Sequence, residues 1–266
     1  MANALDRIIE YKKEEVAALK HSRTIASFEA VFPAPDTLRG FSAALTKTAN
    51  TGENGLICEL KRKSPSAGEI LPGADPCEIA REYQAGGASC LSVLTDGPSF
   101  GGSLSDFEAI RASVSLPMLR KDFMIDPIQV AESRAHGADC ILVIMACLSD
   151  AQAKELHDYA RQLGMDVLVE THNAEELNRA LSLSSPLLGI NNRDLTKMVT
   201  DLATTETLYP LIPGDKFLVS ESGIAEPEHI SRLRKTGARR FLIGESLMKR
   251  TDDRSAHVRA LRIAGS

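Results

Sequence analysis

The chain has 266 residues, of which 43% are hydrophobic and 25% are charged, and its formal net charge is −5. This length fits a single α/β barrel, and the apolar fraction is that of a globular protein with a full core, which excludes a disordered or fibrous chain. The mildly acidic, evenly mixed charge gives no electrostatic footprint for nucleic acid or for an anionic membrane.

No segment is typical of a membrane span, a secretion signal or a metal site. The longest apolar run, residues 140–148, is about half as long as a bilayer-spanning helix. No basic and then apolar leader opens the chain, the five cysteines form no CxxC pair, and the six histidines form no HxH or HExxH pattern. We therefore expect a cytoplasmic protein with buried free thiols and without a metal, nucleic-acid or membrane partner.

The first 50 residues predict helices that lie outside the pattern of the rest of the chain. Apolar residues from Leu5 to Leu19 recur at helical spacing, and Asp36 to Thr46 predicts the start of a second helix. We expect residues 1–50 to form a helical extension packed on the following residues, not a separate domain. Two roles remain open for it, a stabilising cap and a lid over the catalytic mouth.

From residue 51 onward, short apolar runs alternate with amphipathic stretches. Eight strand candidates recur roughly every 20 to 30 residues, about the size of one βα unit. They are residues 56–61, 90–94, 117–119, 140–145, 166–170, 187–190, 217–220 and 241–243. Between them, Ser149, Asn173 and Glu226 predict helix starts, and Gly–Ala pairs precede three of the strands.

Eight such units predict a (β/α)8 TIM barrel over residues 51–266, which forms one domain, residues 1–266, with the extension. A doubly wound open sheet is the alternative. It usually carries a glycine-rich dinucleotide turn after its first strand, whereas Lys63 to Gly68 stand at that place here. The sequence therefore favours the barrel.

Ionisable and amide residues stand at the ends of five predicted strands, where the active site of a barrel lies. They are Glu59, Lys61, Arg120, Lys121, Asp122, Glu170, Asn191, Arg193, Glu221 and Ser222. Glu59 and Lys61 are two residues apart and so share one face of their strand. Isolated buried charges are costly, so we expect them as a mutually paired set or with a charged ligand. The pattern predicts a catalytic group at one rim.

Glycines after the last two strands predict a phosphate site. Gly223 and Gly244 allow backbone N–H groups to approach an anion, and the short helix after Gly244 adds its dipole. Glu245 complicates this prediction, because its carboxylate would repel a phosphate unless only its N–H faces inward.

The loop after the first strand and two phenylalanines are further candidates. The loop is either plain solvent-exposed chain or a flap whose Lys61, Ser64 and Ser66 close over the ligand. Phe100 and Phe123, after the second and third strands, either pack in the core or form an apolar wall for an aromatic ring.

In these segments the chain resembles indole-3-glycerol phosphate synthase of tryptophan biosynthesis. The resemblance is carried, in the family's order, by residues 59–68, 119–126, 169–170, 189–195, 220–224 and 242–248. It implies that 1-(2-carboxyphenylamino)-1-deoxyribulose 5-phosphate closes its ring with loss of carbon dioxide and water. It implies no redox cofactor, no metal and no obligate protein partner, only a small phosphorylated substrate. The chain departs from common family patterns at Lys63, Ala67 and Glu245.

The resemblance also implies roles for the predicted residues. Lys121 would be the general acid that protonates the ketose carbonyl. Loss of water needs a further acid and a base, and these two roles are not divided among Glu59, Lys61 and Glu170. The other implied roles are orientation of the closing chain by Asn191, a polar network through Glu221, and substrate contacts by Ser64, Phe100, Phe123, Arg193 and Ser222. Gly223, Gly244 and Glu245 would hold the phosphate.

Two other classes remain open from the residues alone. One is an aldolase that uses Lys121 as a Schiff-base nucleophile. The other is a phosphate-metabolite-binding barrel without turnover, although every implied catalytic position holds a competent residue.

Overall fold

Eight parallel strands close into a barrel in the computed structural model, which describes residues 4–65, 68–194 and 199–266. The strands are β1 (Gly55–Leu60), β2 (Lys63–Ser64), β3 (Gly68–Glu69), β4 (Cys90–Leu94), β5 (Met118–Lys121), β6 (Cys140–Ile144), β7 (Asp166–Thr171), β8 (Leu187–Asn191), β9 (Phe217–Glu221) and β10 (Arg240–Ile243). β2 and β3 pair as a small antiparallel hairpin, and the other strands follow chain order around the barrel until β10 pairs with β1. The predicted (β/α)8 barrel is confirmed.

Helices flank the barrel and precede it. They are α1 (Ala4–Ser22), α2 (Ile25–Glu29), α3 (Phe41–Asn50), α4 (Pro76–Gly86), α5 (Gly97–Phe100), α6 (Leu104–Ser113), α7 (Pro127–Ala135), α8 (Asp150–Gln162), α9 (Ala174–Ala180), α10 (Ala203–Leu208), α11 (Pro227–Arg234), α12 (Glu245–Met248) and α13 (Arg254–Ile263). The predicted caps are present, since Ser149 accepts from the Gln152 N–H and Asn173 from the Glu176 N–H. Within the described ranges, no helix has the length and apolarity needed to cross a bilayer.

The predicted start of the second helix at Asp36 is wrong. Residues Pro35–Thr37 form one turn of 3-10 helix, and Leu38 then continues in extended conformation. Gly40 adopts a left-handed φ of 66°, and α3 begins only after it. The sequence analysis also missed α2, although Thr24 and Ser27 form a reciprocal capping box at its start.

Helix α3 closes the amino-terminal end of the barrel. Its Phe41 and Leu45 are fully buried among the inward-facing apolar side chains of the strands. The backbone N–H of Ser42 donates to Asp166 Oδ2, 2.8 Å away, at the beginning of β7. This part of the extension therefore completes the barrel core.

Helix α1 reaches the opposite, carboxyl end of the strands through one buried lysine. Lys12 Nζ lies 2.9 Å from Asp96 Oδ1 and 2.8 Å from Asp122 Oδ1, on the segments that follow β4 and β5. The Tyr11 hydroxyl donates to the same oxygen of Asp96 across 2.8 Å. Burial alone would lower the pKa of Lys12, but the Asp122 and Asp96 carboxylates outweigh it and raise this pKa above its ordinary value.

The extension thus has partners at both ends of the barrel, in α3 and in α1. We propose that residues 1–50 and 51–266 fold as one domain, because the buried charges of Asp96 and Asp122 are compensated from α1.

Replacing Lys12 by alanine tests this coupling. The Lys12→Ala variant leaves buried Asp96 without its cation and leaves Asp122 with Arg120 alone, 3.5 Å away, so the expected loss in free energy of unfolding is about 3–5 kcal/mol. Lys13→Ala is the matched control, since Lys13 is exposed and pairs with Glu10 on the helix surface, and it should cost less than about 1 kcal/mol. Urea unfolding measures both, and equal losses would contradict the coupling.

Candidate active site

A cavity of about 500 Å³ opens at the carboxyl end of the barrel strands. Thirteen of the predicted site residues line it, namely Glu59, Lys61, Phe100, Lys121, Phe123, Glu170, Asn191, Arg193, Glu221, Ser222, Gly223, Gly244 and Glu245. They come from the ends of separate strands, which only closure of the barrel brings together. The structure therefore gathers the predicted residues at one rim.

Arg120 and Ser64 are predicted residues that do not line this cavity. Arg120 Nη2 instead lies 2.9 Å from Glu132 Oε2 of α7. Ser64 comes from the segment after β1. It is buried in β2, where it pairs with Gly68 of β3. This pairing turns the first half of the predicted flap into a hairpin, while Ser66 lies outside the described residues.

Two lysine–carboxylate groups occupy the floor of the cavity. Lys121 Nζ lies 3.1 Å from Glu170 Oε2 and 3.4 Å from Glu221 Oε2. Lys61 Nζ lies 3.1 Å from Glu59 Oε1, as expected for residues on one face of β1. Burial favours the neutral amine of Lys121, but Glu170 and Glu221 outweigh it and raise the Lys121 pKa above its ordinary value. Lys121 is therefore held as an ammonium.

The two carboxylates on Lys121 titrate in opposite directions. Burial alone raises the pKa of Glu170, but Lys121 and His172 outweigh it and hold this pKa well below its usual range. Burial, reinforced by the charge of Glu170, raises the pKa of Glu221 to about 8 despite Lys121. When the pKa values of two neighbouring acids lie far apart, one group is ionised and can act as a base while the other stays protonated.

Two glycines leave room for the carboxylates. A Cβ on Gly244 would lie 2.4 Å from Glu59 Oε1, and a Cβ on Gly189 would lie 2.2 Å from Glu221 Oε1. Both contacts are far shorter than van der Waals distance. Glycine at these positions therefore permits the observed placement of Glu59 and Glu221.

The predicted phosphate residues lie together on one side of the cavity. Ser222 and Gly223 both adopt left-handed φ angles, 65° and 77°, an unusual conformation for serine and one that functional sites often hold. Glu245 engages two cations there, with Oε1 2.6 Å from Lys249 Nζ and Oε2 3.5 Å from an Arg193 guanidinium nitrogen. Burial opposes ionisation of Glu245, but Lys249, Lys61 and Arg193 together lower its pKa.

An apolar wall stands on another side of the cavity. Phe100 and Phe123 are half-buried, with ring centroids 6.1 Å apart and ring planes inclined by 34°. Leu142, Ile144 and Leu242 of β6 and β10 extend this surface. The two rings border open space as well as packing on each other, so their surface is available to a flat aromatic group.

Sequence reasoning missed several residues of the site. The aliphatic members of the wall were assigned only to strands, although alternation along a strand marks which side chains point inward. Lys249 carried a usable signal, because it follows Glu245 by four residues and hence by one helical turn. Within the described ranges, no three His, Cys, Asp or Glu side chains form a group that could hold a metal ion.

Comparisons with known proteins agree with this geometry. A family model described as indole-3-glycerol phosphate synthase matches residues 5–261. The indole-3-glycerol phosphate synthase of Hyphomonas neptunium is 64% identical over 99% of this chain and 100% of its own length. That of Azospirillum brasilense is 53% identical over 98% and 99%, respectively. A solved tryptophan synthase subunit alpha from Legionella pneumophila shares the fold, with a TM-score of 0.61 and 15% identity over 85% of this chain and 97% of that one.

The raised pKa of Glu221 makes stability depend on pH. Between its ordinary pKa of 4.5 and about 8, Glu221 stays protonated in the folded state but ionises in the unfolded state. The contribution of Glu221 to the free energy of unfolding is therefore complete below pH 4.5 and is lost as the pH rises toward 8. The Glu221→Gln variant cannot titrate at this position, so it should gain stability relative to the parent protein across that window. Urea unfolding at pH 5 and pH 8 measures the difference in free energy of unfolding between the variant and the parent protein. The same difference at both pH values would contradict a raised pKa of Glu221.

Proposed function

Because the chain belongs to the indole-3-glycerol phosphate synthase family, we propose that the residues of this rim divide its reaction among themselves as follows. The enzyme is a carboxy-lyase of tryptophan biosynthesis that closes the ring of 1-(2-carboxyphenylamino)-1-deoxyribulose 5-phosphate with loss of carbon dioxide and water. The observation that carries the assignment is the Lys121 ammonium between Glu170 and Glu221 inside the cavity.

Lys121 is the general acid of ring closure. Attack of the aromatic carbon on the ketose carbonyl generates an alkoxide, which is basic enough to take a proton from an ammonium group. The Glu170 carboxylate keeps Lys121 protonated before the reaction, and Glu170 and Glu221 together fix its position. A positioned proton donor contributes roughly 100- to 10,000-fold to the rate.

The apolar wall of Phe100 and Phe123 holds the carboxyphenyl ring against the ketose. Ring attack interrupts aromaticity, and departure of carbon dioxide restores it. An apolar wall assists this step because the electrons of the broken carbon–carbon bond neutralise the cationic ring as carbon dioxide leaves, so charge is lost and the less polar state is favoured. The support for this role is the half-buried ring pair that borders the cavity.

Glu170 and Lys61 complete the loss of water. Glu170 is the base that accepts the amine proton, since it is the carboxylate of the Lys121 group whose pKa is lowered. Lys61 is the acid that protonates the departing hydroxyl, and Glu59, 3.1 Å from it, holds it in place. Asn191 donates its amide to Glu170 Oε1 across 3.3 Å and orients this base.

The substrate phosphate binds on the opposite side, against Gly223 and Gly244. The cations Arg193 and Lys249 line this side, and Ser222, whose φ is left-handed, lines it with them. Substrate phosphate therefore competes with the Glu245 carboxylate for these two cations.

We also propose a cytoplasmic location, because Cys58, Cys77, Cys90, Cys140 and Cys147 are all free thiols.

Substitution of the acid and the base tests the assignment. Lys121→Ala and Glu170→Gln should each lower turnover by roughly 100-fold or more while the variants stay folded. Turnover is followed by indole fluorescence, and the background is low because the chain has no Trp. Lys13→Ala, on the exposed face of α1, is the control for loss of a lysine. An unchanged rate in either variant removes that residue from the catalytic set.

Glu245 gives a separate test of the phosphate site. Glu245→Gln removes the charge that competes with the substrate phosphate, so KM should fall roughly three- to tenfold at low salt with little change in kcat. Since the group is partly exposed, added salt should shrink the effect. Glu228→Gln, on exposed α11, is the matched control, and a KM that rises or stays constant in Glu245→Gln would argue against this competition.

A further inference from the structure

His172 contacts the proposed base, Glu170, just beyond the end of β7. It follows β7 directly and lies two residues beyond Glu170, so both side chains leave the strand end on the same side. Its Nε2 lies 3.3 Å from Glu170 Oε1, close enough for an ion pair although off the line of a hydrogen bond. Its Nδ1 lies 2.9 Å from Glu176 Oε2. His172 is not among the described residues that line the cavity, so any effect on catalysis passes through Glu170.

The start of α9 fixes the orientation of this imidazole. Glu176 Oε2 accepts the backbone N–H of His172 as well as facing the ring, and Oε1 accepts the side-chain amide of Asn173 across 2.7 Å. Asn173 in turn caps α9 by accepting the Glu176 N–H. The Glu176 carboxylate is therefore held from three directions, and it holds the ring against Glu170.

The groups around His172 favour the imidazolium. Burial opposes its charge, but Glu170 and Glu176 on the two ring nitrogens outweigh burial and raise the His172 pKa to about 10. Cys147 lies near Glu170 and Glu176, and burial raises the pKa of its thiol to about 12, so it stays neutral. His172 thus adds a second cation beside Lys121 at Glu170.

This cation contacts one of the two carboxylates that share Lys121. Lys121 lies at similar distances from Glu170 and Glu221, 3.1 and 3.4 Å, and so does little to distinguish them. Two carboxylates this close would otherwise share a proton. His172 contacts Glu170, whereas buried Glu221 Oε1 has no hydrogen-bond partner among the described residues.

We propose that His172 is a positioning residue that makes Glu170, not Glu221, the carboxylate that carries the negative charge. This proposal rests on the function assigned above, in which Glu170 is the base. The Glu176–His172 pair sets which member of the Glu170–Glu221 pair is ready to accept the amine proton.

His172→Gln tests the proposal, because glutamine keeps a polar side chain but cannot carry the charge. The Glu170–Glu221 pair titrates as a unit, and loss of a neighbouring cation disfavours its ionised form. The acid limb of the kcat/KM profile should therefore move to higher pH by about 1 unit or more. At neutral pH, kcat should fall by roughly tenfold, with KM changed less than kcat.

Glu176→Gln is the second variant, and it tests the proposed role of His172 if His172→Gln does not fold. It preserves an acceptor for Nδ1 but removes one of the two charges that keep the ring protonated, so a smaller shift in the same direction is expected. His136→Gln is the matched control, because His136 pairs with Glu108 on the surface, Nδ1 to Oε1 2.7 Å, and its loss should leave the profile unchanged.

A fall in kcat with an unmoved acid limb in both variants would overturn the proposal, since it would mean that His172 only supports the local packing. Failure of the underlying function is recognised separately. If Glu170→Gln retained turnover, Glu170 would not be the base, whatever the profile of His172→Gln.

Discussion

The site depends on one constraint, which is that every charge taken into the mouth of the barrel must find its counter-charge there. An isolated buried carboxylate or ammonium is too costly to persist, and breaking a buried pair leaves an uncompensated charge. Lys121 meets this constraint through the Glu170 carboxylate, with protonated Glu221 as a second neighbour, and Lys61 meets it through Glu59. The same pairings that satisfy electrostatics also fix which groups can give and which can take a proton. In the proposed mechanism, stability and catalysis therefore depend on the same contacts.

The constraint extends outward from the cavity into the extension. Asp96 accepts from the Ser99 and Phe100 N–H groups and so caps α5, which carries one ring of the apolar wall. Asp122 accepts from the N–H of Phe123, which carries the other ring. Both carboxylates are compensated by Lys12 of α1. The helical extension is thus bound to the segments that shape the cavity, at the end of the barrel where the reaction takes place.

Most of the architecture was predictable from the sequence, because strand periodicity and βα spacing restrict the topology strongly. Glu59 and Lys61 were placed together by the two-residue repeat of a strand, and Lys121, Glu170 and Glu221 by their positions at strand ends. Lys12 was not predictable as a buried charge, since its partners lie about 84 and 110 residues away in the chain and helical spacing alone marks it only as inward-facing. His172 stands just beyond its strand end, and only the measured distances to Glu170 and Glu176 distinguish it from an ordinary loop residue. Ser64 was assigned to an open loop because a polar sequence does not reveal the short pairing of β2 with β3.

Gly189 and Gly244 show how tightly the carboxylates are accommodated. Neither residue offers a functional group, yet the space above each α-carbon is occupied by an oxygen of Glu221 or Glu59. In any attempt to redesign this barrel for a bulkier acid or a different substrate, these two positions belong to the active centre as much as the charged residues do. The positions of the Glu59 and Glu221 carboxylates are determined partly by the side chains that Gly244 and Gly189 lack.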